Sequence, residues 1–178
     1  MVDLRDKVRK DQGLLKKIEL AIPGFRGYRK REDLRIADSL LRKQLADYMK
    51  QIGNNFAECK KILVNKMELD HLEEMGKITN LLDTIEGKIL HSEQGYTGIS
   101  SDYRISITEL NRLYEWDFSL INYIQNLKIN CDTIVKNLHS ENKTNIKQNL
   151  DEFKKNLRKF EEIYEKRRVA FVDLGVEL

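Results

Sequence analysis

Residues 110–120 read Leu110-Asn111-Arg112-Leu113-Tyr114-Glu115-Trp116-Asp117-Phe118-Ser119-Leu120. From Leu110 to Leu138, one set of residues recurs at alternating intervals of three and four: Leu110, Leu113, Asp117, Leu120, Ile124, Leu127, Cys131, Ile134 and Leu138. This spacing predicts one face of a long α-helix. Tyr114, Phe118 and Ile121 widen that face, which favours a packed bundle with a coiled-coil-like seam over a bare two-stranded coiled coil.

The same helical spacing continues outward in both directions along the chain. It predicts helices from Asp3 to Ala21, from Lys30 to about Asn65, from His71 to about Ile89, and from Ile146 to about Arg168. Gly53-Asn54-Asn55 is a weak break signal, and the apolar face continues beyond it, so the second helix either passes through or is interrupted there. The change of phase around Asn65–Leu69 indicates a loop or a register slip. The helix of residues 110–138 should begin near Ser106 or Thr108. We therefore expect an all-α, elongated antiparallel bundle of four to five helices, forming one domain over residues 1–168.

Two loops with related sequences should interrupt the helices. The first is Ile22-Pro23-Gly24-Phe25-Arg26-Gly27-Tyr28. Pro23 fixes φ and has no amide hydrogen, so the first helix must end there in a sharp corner. The second is Gly95-Tyr96-Thr97-Gly98-Ile99, within a long loop from His91 to Tyr103.

The last ten residues have a different period. Val172, Leu174, Val176 and Leu178 alternate with polar residues or glycine, which is the spacing of a strand. We expect residues 169–178 to form an extended tail. It would either fold back along the protein's own bundle or add a strand to the sheet of a partner.

Composition narrows the class of protein. Charged residues make up 34% of the chain and hydrophobic residues 40%, with one proline and a net charge of +3. No apolar run approaches the roughly 20 residues that span a bilayer, and the first residues do not resemble a signal peptide. Cys59 and Cys131 are far apart in helical context, so we expect buried free thiols in a cytoplasmic protein.

Motifs for catalysis or cofactor binding are incomplete. A diiron bundle needs two Glu-x-x-His pairs, and the chain offers one, Glu68 with His71. His91 and His139 are preceded by lysine at the corresponding position. No nucleophile motif or phosphate-binding glycine loop is present. We therefore expect no metal, no cofactor and no catalytic residues.

Asp117 is unusual because it occupies an apolar helix face. A buried carboxylate needs a partner, since an unpaired buried charge costs several kcal/mol. We expect a structural pair with an arginine such as Arg26 or Arg104, or hydrogen bonds to loop amides. A ligand-binding role, or an exposed position, are the alternatives.

A basic cluster follows the first corner. It contains Arg26, Arg29, Lys30, Arg31 and Arg35, interleaved with Phe25 and Tyr28 and diluted by two acidic residues. The cluster is either a solvated helix start or a site for phosphate, lipid head groups or RNA.

The two loop motifs resemble those of an uncharacterised family of small helical proteins from archaea and bacteria. The resemblance covers Pro23-Gly24-Phe25-Arg26-Gly27-Tyr28 with the residues after it, and Gly95-Tyr96-Thr97-Gly98 with Leu113-Tyr114-Glu115-Trp116-Asp117. The resemblance implies a helical fold, and it does not imply any particular activity. It also suggests that both loops and the Asp117 segment meet at one end of the bundle.

The leading functional prediction is a non-enzymatic adaptor or scaffold that acts through protein–protein contacts, with homo-oligomers possible. Candidate contact residues are Phe25, Arg26, Tyr28, Arg29, Arg31, Arg35, Tyr96, Trp116, Asp117, Val172, Leu174, Val176 and Leu178. The alternative is binding of an anionic partner, a membrane surface or RNA, through Arg26–Arg35. An enzyme or metal protein ranks third.

Overall fold

A computed structural model describes residues 4–26, 31–67, 69, 71–92, 107–139 and 146–172. Five helices account for 93% of these residues: α1 (Leu4–Ala21), α2 (Arg31–Asn65), α3 (Leu72–His91), α4 (Ile107–His139) and α5 (Ile146–Val172). This part of the chain contains no strand. The prediction of an all-α bundle is confirmed. Side chains are described for residues 13–26, 36–67, 69, 71–92, 108–139 and 146–169.

The helix boundaries follow the apolar periodicity closely. α2 passes through Gly53-Asn54-Asn55 without a break, because Ile52, Phe56 and Cys59 keep one face buried across it. The predicted cap Asp3, the loop of residues 93–106 and the turn after His139 lie outside the described residues.

The end of α5 differs from the prediction. The sequence pattern ended this helix near Arg168, but the helix continues through Val172. Arg167 is buried and hydrogen-bonded, and Arg168 pairs with Glu165 one turn earlier at 2.8 Å, so the helix is held by side-chain bonds up to these residues. Val172 is therefore helical and does not begin an extended tail. Leu174, Val176 and Leu178 lie outside the described residues.

The helices form two compact units. Unit 1 comprises Met1–Gln44, His91–Asn122 and Ile163–Leu178, and unit 2 comprises Leu45–Leu90 and Tyr123–Glu162. α2, α4 and α5 each contribute to both units.

In unit 2, side-chain contacts define the helix directions. Lys128 lies 5.8 Å from the Tyr48 ring centroid, and the Lys66 ammonium donates to the Leu138 carbonyl at 3.0 Å, so α2 and α4 run parallel. On the next two helices Lys154 pairs with Glu74, and Lys88 pairs with Glu161, so α3 and α5 are also parallel to each other. The short connection between α2 and α3 makes these two pairs antiparallel. Unit 2 is thus an up-down-up-down four-helix arrangement.

The interior of unit 2 is apolar. Phe56 and Phe153 lie with their ring centroids 4.8 Å apart, tilted by 57°, in the preferred range for aromatic pairs. The same side of α3 is buried at every three or four residues: Met75, Ile78, Leu82, Ile85 and Ile89.

In unit 1, α1 packs near the first part of α4. The Lys17 ammonium lies 5.0 Å from the centroid of the Phe118 ring, which is a cation–π contact. Ile18 and Ile22 are buried, as are Leu113 and Leu120 on α4.

The first corner is a tight turn, as predicted. The Phe25 amide donates to the Ile22 carbonyl at 3.2 Å, with Pro23 and Gly24 between them. Gly24 has a φ of 85°, the value of the third residue of a type II β-turn. A Cβ built on Gly24 would lie 3.7 Å from the Leu40 side chain, so space is available and the backbone angle is what requires glycine.

Among the described residues, none of the five helices combines the length and apolar character needed to cross a lipid bilayer.

Candidate functional site

Four charged side chains lie in the interior of unit 1. Asp38 and Asp117 are 0% exposed, Arg167 is 2% exposed and Arg42 is 4% exposed. Charged side chains are rarely buried this completely unless they are paired. These four residues come from α2, α4 and α5, so the three helices meet around them.

Arg167 is the centre of this buried charge network (Asp38, Arg42, Asp117, Arg167). Its Nε donates to Asp117 Oδ1 at 3.0 Å, and its Nη1 donates to Asp38 Oδ1. Arg42 Nε donates to the other oxygen of Asp38 at 2.7 Å, one turn along α2. Two carboxylates thus face two guanidinium groups, and the formal charges cancel.

Every buried polar atom of the network has a hydrogen-bond partner. Moving an ion into a protein interior costs several kcal/mol, which only good geometry and complete hydrogen bonding can offset. Among the described side chains, no buried nitrogen or oxygen lacks a hydrogen-bond partner. The arrangement acts chemically as a structural ion cluster: each carboxylate is held by an arginine, and three helices are fixed in register.

Tyr164 adds a neutral hydrogen bond one turn before Arg167. Its hydroxyl lies 2.6 Å from the hydroxyl of Ser92, which follows α3. Burial raises the pKa of Tyr164 above its usual value, with Asp38 acting in the same direction more weakly. The tyrosine is therefore a protonated hydrogen-bonding group that links α5 to the end of α3.

Asp117 is buried and paired, as the sequence predicted, but the arginine was not identified. Of the two arginines that the sequence suggested, Arg26 is exposed and Arg104 lies outside the described residues. The partner is Arg167. The spacing of α5 contains the missing signal, because Arg167 continues the face of Phe160 and Tyr164 at intervals of four and three.

Two predicted contact residues are core residues. Phe25 is 4% exposed and Asp117 is fully buried, so neither presents its side chain to a partner. Phe25 is the fourth residue of the turn, and Asp117 belongs to the charge network. Trp116 is half-buried.

The other predicted contact residues are only partly described. Arg26 is exposed. Arg31 and Arg35 lie in the first turns of α2, without described side chains. Tyr28, Arg29 and Tyr96 lie outside the described residues, so the predicted meeting of the two glycine loops stays a prediction.

Exposed apolar side chains flank the first corner. Leu20 is 79% exposed just before the turn, and Ile36 is 59% exposed early in α2. We call Leu20, Arg26 and Ile36 the α1–α2 surface. In the sequence, its two apolar residues lie before and after a turn that contains the buried residues Ile22 and Phe25.

A second group of exposed apolar side chains lies at the connection between α2 and α3. Val64, Met67 and Leu69 are 53%, 88% and 61% exposed. Met67 has a φ of 56°, in the left-handed region that residues other than glycine rarely adopt. Its amide donates to the Val64 carbonyl at 3.0 Å, which closes the end of α2.

Next to this connection, the first turns of α3 and α5 line a cavity of about 370 Å³. Its lining residues are His71, Glu73, Glu74, Lys147, Leu150 and Asp151. Lys77 pairs with Glu73 at 2.7 Å, and Lys154 pairs with Glu74. The hydrogen bond from Lys154 lowers the pKa of Glu74. In contrast, no ion pair or side-chain hydrogen bond within the described residues involves Lys147 or Asp151.

The histidines and cysteines do not form a metal site within the described residues. There, no group of three or more His, Cys, Asp or Glu side chains is placed to hold a metal ion. His71 is half-buried at the cavity, and His91 and His139 are exposed.

Cys59 and Cys131 are free and buried in unit 2. Burial raises the pKa of Cys59 to about 11 and that of Cys131 to about 12, and the Asn55 side chain hydrogen-bonds to Cys131. At neutral pH both are protonated, apolar residues, as the sequence predicted.

In comparisons with known proteins, no protein-family model, no curated protein and no solved structure matches the chain.

Proposed function

We propose that this protein is a non-enzymatic adaptor that binds a protein partner through the α1–α2 surface. The observation that supports this most is the exposure of Leu20 and Ile36 on either side of the turn. Large apolar side chains in water favour association, because each contact removes apolar area from solvent.

The rigidity of the corner also supports this function. Pro23 and Gly24 fix the turn, and Ile22 and Phe25 are buried beneath it. A surface that is held in place before binding loses less conformational entropy when a partner docks. Arg26 adds a cationic group at the edge of the surface, so a complementary partner would combine apolar residues with a carboxylate.

The proposal locates the adaptor in the cytoplasm. Both cysteines are free thiols in the interior of unit 2, which suits a reducing compartment.

Affinity purification with cross-linking in native cells tests the adaptor function. The test variant is Leu20→Glu with Ile36→Glu, and the matched control is Ile129→Glu, an equally apolar and exposed position on α4. We expect a protein recovered with the wild type and with Ile129→Glu to be lost with the double variant. Recovery with all three proteins would contradict the proposal, as would the absence of any specific partner.

Binding of an anionic partner is the second candidate function. It is supported by the exposure of Arg26 and by the start of α2 at Arg31, because a helix N-terminus favours anions. The test replaces Arg29, Lys30 and Arg31 with glutamine and measures binding to acidic liposomes and to a short RNA. Phosphate binding must weaken steeply as salt rises. A wild-type protein that binds neither probe at low salt would exclude this function.

A further inference from the structure

Three features are found at the connection between α2 and α3 and at the neighbouring start of α5, and a turn alone does not require them. Met67 occupies a left-handed backbone position where glycine is the usual residue. Its side chain and that of Leu69 are largely exposed. Lys147 and Asp151, on successive turns of α5, stand at the adjoining cavity without an ion-pair partner in the described part of the chain.

We propose that this α2–α3 surface (Val64, Met67, Leu69, Lys147 and Asp151) is an interface with a second copy of the same chain. The two copies meet across a twofold axis. Met67 and Leu69 of each copy pack against the same region of the other, and Lys147 of each copy pairs with Asp151 of the other.

The charges of the α2–α3 surface favour a second copy of the chain over a partner whose docking surface is uniformly acidic or uniformly basic. A twofold interface brings the same patch of both copies together, so each contact between different residues occurs twice. A patch that carries one cation and one anion, neither of them in an ion pair with another described residue, is complementary to itself under that symmetry. A uniformly acidic or basic patch would repel its own copy.

The neighbouring charges do not oppose this arrangement. Glu73 and Glu74 also line the cavity, but Lys77 and Lys154 pair with them within the chain. Lys147 and Asp151 have helical i, i+4 spacing with the cation first, which is the less favourable order for a pair on one helix. Among the described residues that line this cavity, Lys147 and Asp151 are therefore the two acidic or basic side chains available for an intermolecular pair.

Met67 supplies the apolar centre of the interface. Methionine is unbranched and flexible, so it adapts to a facing copy of itself. Its burial in a dimer gives a reason for an apolar, non-glycine residue at a strained and exposed turn position. This inference is independent of the adaptor function, which concerns residues of unit 1.

Sedimentation equilibrium of the full chain tests the apolar part of the interface. We expect the wild type to be a dimer in reversible equilibrium with the monomer. Met67→Glu with Leu69→Glu should be monomeric over the same concentrations, because two carboxylates would then face two others. Ile129→Glu, which changes an exposed residue of the same unit, should dimerise like the wild type. Circular dichroism checks that each variant keeps its helices.

Charge reversal tests the geometry. Lys147→Asp places like charges opposite each other in both symmetric contacts and should raise the dimer dissociation constant by about tenfold or more. Asp151→Lys should do the same. The combined variant Lys147→Asp, Asp151→Lys restores both pairs with reversed sign, and its dissociation constant should return to within about threefold of the wild type.

Any of three results would overturn the proposal. The first is a wild-type protein that stays monomeric at all concentrations. The second is a dimer that survives the substitution of Met67 and Leu69 by glutamate. The third is a combined charge reversal that fails to restore the affinity of the dimer. Because the adaptor test uses Leu20 and Ile36, either proposal can fail while the other holds.

Discussion

Unit 1 and unit 2 fill their interiors with different chemistry. The buried residues described in unit 2 are apolar side chains and two thiols, whereas unit 1 buries two aspartates and two arginines in addition to its apolar side chains. Apolar packing gains free energy from any close contact, so it tolerates small shifts of one helix along another. Hydrogen-bonded charges do not tolerate such shifts, because each displacement leaves a buried ion unpaired.

This difference suggests a separate role for each interior. We infer that unit 2 is stabilised by apolar packing alone among its described buried residues, and that the charge network of unit 1 fixes the register of α2, α4 and α5. Asp38, Asp117 and Arg167 come from three different helices, so a slip of any one of them breaks at least one ion pair. The contrast can be tested by removing one element of each interior.

The largest effect is expected from Arg167→Leu. Two carboxylates, Asp38 and Asp117, would lose a shared partner in the interior, and breaking a buried pair costs about 3–5 kcal/mol. We expect a loss of about 5 kcal/mol in the free energy of unfolding, measured by urea denaturation. The matched control is Arg168→Leu, because Arg168 is partly exposed and pairs with Glu165 on the surface. The Arg168→Leu variant should lose less than about 1 kcal/mol in its free energy of unfolding.

Asp117→Leu tests the same network from the other side. Arg167 would keep its pair with Asp38, so the loss should be smaller, about 3 kcal/mol. An unchanged stability for either variant would show that the charges are not needed to align the helices.

In unit 2, Phe153→Ala should cost about 4 kcal/mol through a different mechanism. The substitution leaves a cavity opposite Phe56 and removes the aromatic contact at 4.8 Å. Phe153→Leu keeps most of the volume and should cost about 1.5 kcal/mol. If the leucine variant were as unstable as the alanine variant, the core of unit 2 would depend on ring geometry and not on volume.

The sequence predicts the helices better than it predicts their contacts. Apolar spacing locates all five helices and places Asp117 on a buried face. It does not reveal that Arg167 is its partner, because the spacing within one helix carries no information on which face of another helix it meets. The first corner is predicted since Pro23 and Gly24 have turn preferences. The left-handed backbone position at Met67 is not predicted by the sequence, because methionine has no preference for turns.

Alkaline pH should weaken both units, through different groups. Folding raises the pKa of Cys59 to about 11 and that of Cys131 to about 12, against an ordinary value of 9.0. The unfolded chain then ionises first, so stability is complete below about pH 9 and falls as pH rises towards 12. We expect a loss of about 1 kcal/mol per thiol at pH 10 relative to pH 8.

Substitutions identify the source of this loss. A variant with Cys59→Ala and Cys131→Ala should lose less stability between pH 8 and pH 10 than the wild type. Tyr164→Phe removes the corresponding group of unit 1, whose pKa is also raised by burial. An identical pH dependence in the double cysteine variant would mean that the thiols reach solvent in the folded protein.

The smallest effects should come from substitutions at the first corner and at the α2–α3 connection. These two substitutions should change the free energy of unfolding in opposite directions. Gly24 and Met67 both have positive φ, at 85° and 56°, but only one of them is glycine. Gly24→Ala places a Cβ where the backbone angle disfavours it, so we expect a loss of about 1 kcal/mol in unit 1.

Met67→Gly relieves the same kind of backbone strain in unit 2. Since the Met67 side chain is 88% exposed, little packing is lost, and the monomer should gain about 0.5 kcal/mol. Urea denaturation at low protein concentration measures both changes. A destabilised Met67→Gly monomer would show that this methionine contributes to the fold of its own chain, which would remove the main reason to assign its exposed side chain to an interface.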